Sequence, residues 1–521
     1  MGSEPLVFWG WTFLALYIGV MVFFGIVGMR RVKDSDDFAV ARGAYGPIFL
    51  SFALVATTAS GATFLGLPGL AYQVGTSSIW YAYVYPLGVY IGVIIALHAV
   101  RRAGETFGSR SMPEYLGDRF DSDFLRLAVA IFSMLLLFYL AAQLLAGAVM
   151  FNNMLGLDKF SALVVTAVIL VIYIALGGAH ADILTDGVQG ALMLILAVVV
   201  LWMFLTGFGV EGGFSGMIAR LRSIDESLVT SIHPTHPLFN SKWDIFCIFV
   251  AHLPLGLLPH IGNKLWALKD NRDQVKFVSI SFVFGLLLPS LALGGILARV
   301  IVGDALFEDG RTPNDAIPAL FIATLPAWLA AMIGAGVLAA VMSTADGLVV
   351  STSQIFANDI FRRTIVPRWY PERDPAAVDR QSLLIGRIAT VIVLAGAVGL
   401  AWNTRHMNIA LLVWAGVGGM MAATAGPMFM GILWRGTTKT GALWGFVTGG
   451  ASFIVMKAGL IKAQWFAGGP LDAPGTWLAA QGVNPFACAT IGCILSVATV
   501  IVVSIFTTAP SAQHLQRVFG D

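Results

Sequence analysis

The chain has 521 residues, of which 58% are hydrophobic and 12% charged. A soluble chain carries roughly a quarter charged residues, so this composition cannot solvate a globule and points to a polytopic membrane protein. The formal net charge of +2 supplies no basic field for a nucleic-acid partner. The three cysteines, Cys247, Cys488 and Cys493, fall in apolar runs as small hydrophobes, not as a disulfide or metal set.

A helix crosses a bilayer with about 20 apolar residues. The first such run, 6–29, is too long for a signal-peptide core and is followed by Arg30 and Arg31, so it reads as an uncleaved anchor. The second, 46–73, is interrupted by 56-ATTASGATFLGLPG-69, where glycines, a proline and hydroxyls crowd an apolar stretch. Gly and Pro weaken a helix interior, and the freed carbonyls need partners. Spans at 79–100, 124–151, 160–177 and 184–206 follow. The loop 207–242 contains 233-HPTHP-237, whose histidines beside prolines read as solvated, not metal-binding. The seventh span, 243–262, is interrupted again, by 252-HLPLGLLPH-260. Spans at 277–303, 326–350, 382–402, 407–434, 440–460 and 486–507 complete a count of about thirteen.

Spans two to six and seven to eleven form two groups of five, so the second group runs with inverted topology. Each begins with an interrupted helix. One kink alone is explained by close helix packing, but paired interruptions at corresponding positions point to a transporter site at the bilayer midplane. The whole chain, 1–521, then reads as a single membrane domain. It has a flanking helix at 6–29, a first repeat at 46–206, an inverted second repeat at 243–434 and flanking helices at 440–507. With the N-terminus outside, 22 of the 31 Lys and Arg fall on the inner side. That bias predicts a multi-pass protein of the cell membrane, N-terminus out and C-terminus cytoplasmic.

The stretch 339-AAVMSTADGLVVSTS-353 carries unexpected polarity for an apolar span. On a helix Ala340, Ser343, Thr344 and Gly347 share one face. Two hydroxyls, the Ala340 carbonyl and the loose carbonyls of Ala56 and Ala59 at the second-span break make about five oxygen ligands, a set that suits Na⁺. The alternative for Ser343 and Thr344 is a bond back to the i−4 carbonyl. Asp186, in 177-GGAHADILTDGVQG-190, and Asp346 are intramembrane carboxylates, which mark functional sites. If they face each other, a second cation or a proton lies between them. The competing reading of Asp186 is a cap at the start of the sixth span, with Asp182 and His180 at the inner interface. His180, Asp182 and Asp186 are too loosely spaced to make an enzyme's metal centre, and no enzyme activity is expected.

At these residues the sequence resembles the sodium/solute symporter family, the sodium–glucose and sodium–proline group. The resemblance lies in 56-ATTASGATFLGLPG-69, 177-GGAHADILTDGVQ-189, 259-PHIGNKLWALKD-270 and 339-AAVMSTADGLVVSTSQIFANDI-360, and covers about residues 7 to 507. It implies an all-α fold with a leucine-transporter-like inverted repeat of five plus five helices. It also implies Na⁺ as coupling ion, held by the carbonyls of Ala56, Ala59 and Ala340 and the hydroxyls of Ser343 and Thr344. A second cation site of some members maps onto Asp186, Asp346 and Gly347. Here a carboxylate and a glycine stand where that pattern has hydroxyls.

The expected function is Na⁺-coupled symport of a small organic solute by alternating access. Thr58, Ser60, Thr63 and Gln143 are the candidate solute contacts, with Tyr81, Tyr83 and Trp414 as lids or stacking surfaces. No Lys or Arg is expected in the middle of the membrane. The segment 131-IFSMLLLFYLAAQ-143 lacks the arginine of sialic-acid-type members. The segments 64-FLGLPGLAYQVG-75 and 259-PHIGNKLWALKD-270 look most like the pantothenate, monocarboxylate and proline branches, so a carboxylate-bearing metabolite is the expected substrate class. The alternatives are H⁺ coupling or a sugar-type solute. An ion channel would need a continuous pore lining, and a membrane enzyme a compact catalytic set. The expected partners are the solute, Na⁺ and the lipid bilayer, with no obligatory protein partner.

Overall fold

The computed structural model describes residues 4–31, 41, 44–109, 111–268, 271–308 and 310–520. Among the described residues no strand occurs. Several helices begin where a Ser, Thr, Asp or Asn side chain accepts from the first free amides. Asp158, Ser241, Asp374, Asn408, Thr438 and Asn484 all cap in this way.

The first helix, α1 (Glu4–Arg31), is followed by α2 (Pro47–Thr58) and α3 (Leu67–Val74), then by α4 (Ile79–Phe107) and the short α5 (Met112–Phe120). Next come α6 (Asp123–Phe132) and α7 (Leu136–Leu155), and a 48-residue helical stretch, α8 (Lys159–Thr206). The second half contains α9 (Lys242–His252), α10 (Pro259–Trp266), α11 (Asn271–Leu287), α12 (Leu291–Val302), α13 (Ala327–Gln354) and α14 (Pro375–Asn403). The chain ends with α15 (Ile409–Leu433), α16 (Lys439–Lys457), α17 (Pro485–Ile505) and the short α18 (Ala512–Phe519).

Among the described residues nine helices are long and apolar enough to cross a membrane, against the thirteen spans predicted. The difference arises largely where helices are broken or merged. The second span is the pair α2 and α3, the seventh is the pair α9 and α10, and α8 covers both 160–177 and 184–206. In the first break Ala59 is extended (φ −91°, ψ 92°) and residues Ala62–Gly66 form a π-helical turn. In the second, Pro254–Leu257 form a 3₁₀ turn and Leu258 is extended (ψ 146°) before Pro259 restarts the helix. Proline at the first helical positions loses nothing, because its missing N–H would be unpaired there.

Both breaks are gripped by glycines. A Cβ at Gly92 of α4 would lie 1.8 Å from the Leu253 carbonyl oxygen, and one at Gly295 of α12 would lie 1.9 Å from the Pro68 carbonyl oxygen. Only a residue without a side chain lets those helices reach the interrupted backbone. α13 runs through the interior, with every residue from Val337 to Thr352 buried, and packs against α1, α7 and α8. α15, α16 and α17 form a mutually packed trio.

Candidate cation and solute site

The end of α2 is built to leave carbonyls free. The helix stops at Thr58, and its last i+4 amide, Ala59 N–H, bonds the Val55 carbonyl at 2.9 Å, so the carbonyls that follow have no such partner. The backbone on the far side of the break is held by side chains. Gly61 N–H donates to Gln143 Oε1 at 2.8 Å, and Ala62 N–H donates to Ser60 Oγ at 3.1 Å.

α13 crosses at this point. Thr344 Oγ1 donates to the Thr57 carbonyl at 3.3 Å, which ties the buried hydroxyl pair Ser343 and Thr344 to the end of α2. Ala56, Ala59 and Ala340 are buried at the same junction. Neither hydroxyl makes the i−4 bond weighed as the alternative. Ser343 Oγ instead donates to Asp186 Oδ1 at 2.6 Å. Asp186 Oδ2 accepts from Thr57 Oγ1 at 2.8 Å. With its proton committed to Asp186, Ser343 keeps oxygen lone pairs for a cation, an orienting role like that of a carboxylate behind a metal ligand.

Asp186 is not an interfacial cap. It is fully buried inside α8, and oxygens of Asp182, Asp186 and Asp346 lie within 4.8 Å of one another. Asp346 Oδ1 accepts from the Gly347 N–H at 2.8 Å. Nor does Asp182 lie at an exposed interface. It is buried and forms an ion pair with Lys264 of α10. The same ammonium lies 2.9 Å from Asp186 Oδ2. Lys264 is fully buried, which corrects the expectation that the membrane interior contains no Lys or Arg. Its place in a half-helix next to 252-HLPLGLLPH-260 made it look like a loop residue. One signal pointed the other way: Asp182 and Asp186 are four residues apart, share a helix face, and as buried carboxylates need a common cation. His180, expected beside them, instead meets Tyr45, whose hydroxyl lies 3.0 Å from its Nδ1.

Thr58, Ser60 and Thr63 line one cavity with Tyr81, Tyr85 and Trp414, and its empty volume is about 390 Å³. Gln143 is not on this wall. It is buried, with Oε1 on Gly61, and Nε2 has no partner among the described residues. Tyr83 points elsewhere, with its hydroxyl 2.9 Å from Ser290 Oγ. The residue that sequence reasoning missed is His252, at the end of α9. It is buried on the cavity wall, with ring centroids 4.5 Å from Trp414 and 5.3 Å from Tyr85. Its Nδ1 lies 2.6 Å from the Ile248 carbonyl oxygen. Among the described residues the cavity wall contains no Lys or Arg.

The loop histidines hold their own turn. His233 Nδ1 accepts from the N–H groups of Thr235 and His236, and the His236 ring stacks on Phe239. Burial, with a smaller contribution from His233, pulls His236 down from the usual histidine range to about 4.

The profile of the Sodium:solute symporter family matches residues 38–449. The high-affinity proline transporter PutP of Bacillus subtilis is 27% identical over 516 residues, covering 96% of this chain and 98% of its own. The sodium/proline symporter of Escherichia coli K12 is 27% identical over 466 residues, covering 85% of this chain and 86% of its own. Among solved structures, a substrate-bound, outward-open Na⁺-coupled sialic acid symporter superposes with a TM-score of 0.72 at 19% identity, covering 97% of this chain and 99% of its own. The nucleobase-cation-symport-1 transporter Mhp1 in a closed conformation gives a TM-score of 0.55 at 14% identity, covering 93% and 99%. At these identities the structural likeness shows the fold alone.

Proposed function

From the premise that the chain belongs to the sodium:solute symporter family, we propose that it carries a small carboxylate-bearing solute into the cell together with Na⁺. Proline, the named substrate of its relatives, leads the candidates, followed by pantothenate and short monocarboxylates. The observation that carries this reading is the crossing of α13 over the end of α2, where Thr344 bonds the Thr57 carbonyl and Ser343 is oriented by Asp186. In this reading Na⁺ is held by the carbonyls of Ala56, Ala59 and Ala340 and the hydroxyls of Ser343 and Thr344. The ion bridges the break in α2 to α13 and favours the outward-open state.

The solute takes the adjacent cavity, touching Thr58, Ser60 and Thr63 and stacking on Tyr81, Tyr85 and Trp414. With no Lys or Arg on that wall, Na⁺ is the nearest cation available to its carboxylate. Gln143 acts from behind, fixing Gly61 at the break. Asp186 and Asp346 belong to a cluster of three carboxylates into which Lys264 places one ammonium, so the charge balance leaves a place there for a proton or a second cation. Because Na⁺ and solute favour the same state, each raises the other's affinity, and the sodium gradient drives uptake. The N-terminus is outside and the C-terminus cytoplasmic, as the Lys and Arg distribution favours.

The test is uptake of radiolabelled proline, pantothenate, lactate and glucose into proteoliposomes, with an imposed Na⁺ or proton gradient. Concentrative, Na⁺-dependent uptake of one of the carboxylates is expected. Uptake of glucose alone, or uptake that follows pH and ignores Na⁺, would sink the proposal.

A further inference from the structure

Where α4 ends at Phe107, beside the last helix α18, lies a second cavity, with an empty volume of about 650 Å³. Its apolar wall includes Ile95, Ala99, Phe107, Ile432 and Val518. Two arginines, Arg102 of α4 and Arg119 of α5, line the same space. Arg119 is only 1% exposed. Its Nε donates to the Gly431 carbonyl at 2.7 Å and its Nη2 to the Trp434 carbonyl at 3.3 Å. Its Nη1 is buried and has no partner among the described residues, and the same holds for Arg102 Nε.

Among the described residues neither arginine forms an ion pair. The nearby acid on α4, Glu105, is taken by Arg101 at 2.9 Å. Two exposed guanidinium groups lie behind the wall, Arg517 over the Phe107 ring and Arg435 over the Phe519 ring. A guanidinium removed from water without an anion is costly. Here Arg119 is buried and Arg102 half-buried, each has a spare buried donor, and both face one slot.

We propose that this cavity binds an anionic phospholipid, its phosphate held between Arg102 and Arg119 and its acyl chain laid along Ile95, Ala99 and Ile432. A phosphate accepts several charge-assisted hydrogen bonds at once, and guanidinium groups fit it in pairs. A free anion would use the arginines but would leave the apolar wall unfilled. A zwitterionic lipid would bring an ammonium into a pocket already lined by two guanidinium groups. The site is independent of the coupling ion, so it stands or falls apart from the transport reading.

The test uses the purified full chain in nanodiscs of phosphatidylcholine, with and without phosphatidylglycerol. Lipid retained on release is read by native mass spectrometry, and stability by thermal melting. Phosphatidylglycerol is expected to be retained selectively and to raise the melting temperature. In Arg102→Gln, retention should fall about tenfold or more, as loss of a hydrogen bond to a charged group implies. Arg119→Gln should do the same, but Arg119 also holds two backbone carbonyls, so Arg102→Gln decides the matter if that variant fails to fold. Equal retention of both lipids, or full selectivity in Arg102→Gln, overturns the proposal. So does an equal stabilisation by inorganic phosphate in phosphatidylcholine alone, which would make the cavity a free-anion site.

Discussion

Replacing Ser343 by alanine removes two things at once, a proposed Na⁺ ligand and the 2.6 Å donor to Asp186 Oδ1. The two roles separate because Asp186 has a second hydroxyl donor, Thr57 Oγ1 at 2.8 Å, which is not a proposed ligand. Thr57→Val keeps the shape and removes only that donor. An interaction with a charged group contributes about 1.5–3 kcal/mol, so loss of the Ser343 oxygen should raise the Na⁺ concentration for half-maximal uptake about 10- to 150-fold. Thr57→Val should lower stability by about 1.5–3 kcal/mol and shift Na⁺ half-saturation no more than about threefold. The assay is initial-rate uptake into proteoliposomes over a Na⁺ series, with equilibrium binding of radioactive Na⁺ as a second measure. If Ser343→Ala and Thr57→Val move the Na⁺ dependence equally, Ser343 acts only through Asp186 and is not a ligand. If neither moves it, the cation lies elsewhere.

Lys264→Met should destabilise the fold by about 3–5 kcal/mol, because it leaves buried carboxylates without their cation. Adding Asp182→Asn should recover part of that loss in a detergent melting assay, and an unchanged or lower melting point in the double variant would count against the pair. Gly92→Val should abolish folded yield, judged by size-exclusion profile, since its side chain meets the Leu253 carbonyl. Gly19→Ala, with nothing within 4 Å of its Cβ, should behave as the parent. The pH prediction concerns His236, held at about 4 when folded against about 6.5 when unfolded. The unfolded loop therefore binds the proton more readily, so stability is fully present above about pH 6.5 and is lost progressively down to pH 4. Melting temperature should drop from pH 7 to pH 5 in the parent and drop less in His236→Gln, while parallel curves would refute the assignment.

The membrane class, the two broken helices and the polar face of α13 were all legible in the sequence. Each is a local property: apolar run length, Gly and Pro inside an apolar run, and the spacing of Ser343 and Thr344 on one helix. Burial of polar groups in hydrocarbon is so costly that such residues stand out without any knowledge of their neighbours. Whether Asp186 faces Asp346 was left open by the sequence, and their oxygens come together with Asp182.

Partner choice was not legible, because it is decided by which helices cross. Lys264 lies 78 positions from Asp186 and was read as a loop residue, yet α10 places it against two carboxylates of α8. His252 looked like one polar residue among prolines until α4, α15 and α17 closed aromatic rings around it. Even α1, outside both predicted repeats, reaches the interior, where Tyr17 Oη accepts from Gln189 Nε2 at 2.6 Å. The sequence by itself determined where the backbone breaks and where polarity enters the membrane, since those follow from each residue's own chemistry. Only the tertiary structure decided which charge answers which, since a buried ion pair exists only when two helices distant in sequence hold their charged atoms within about 4 Å of each other.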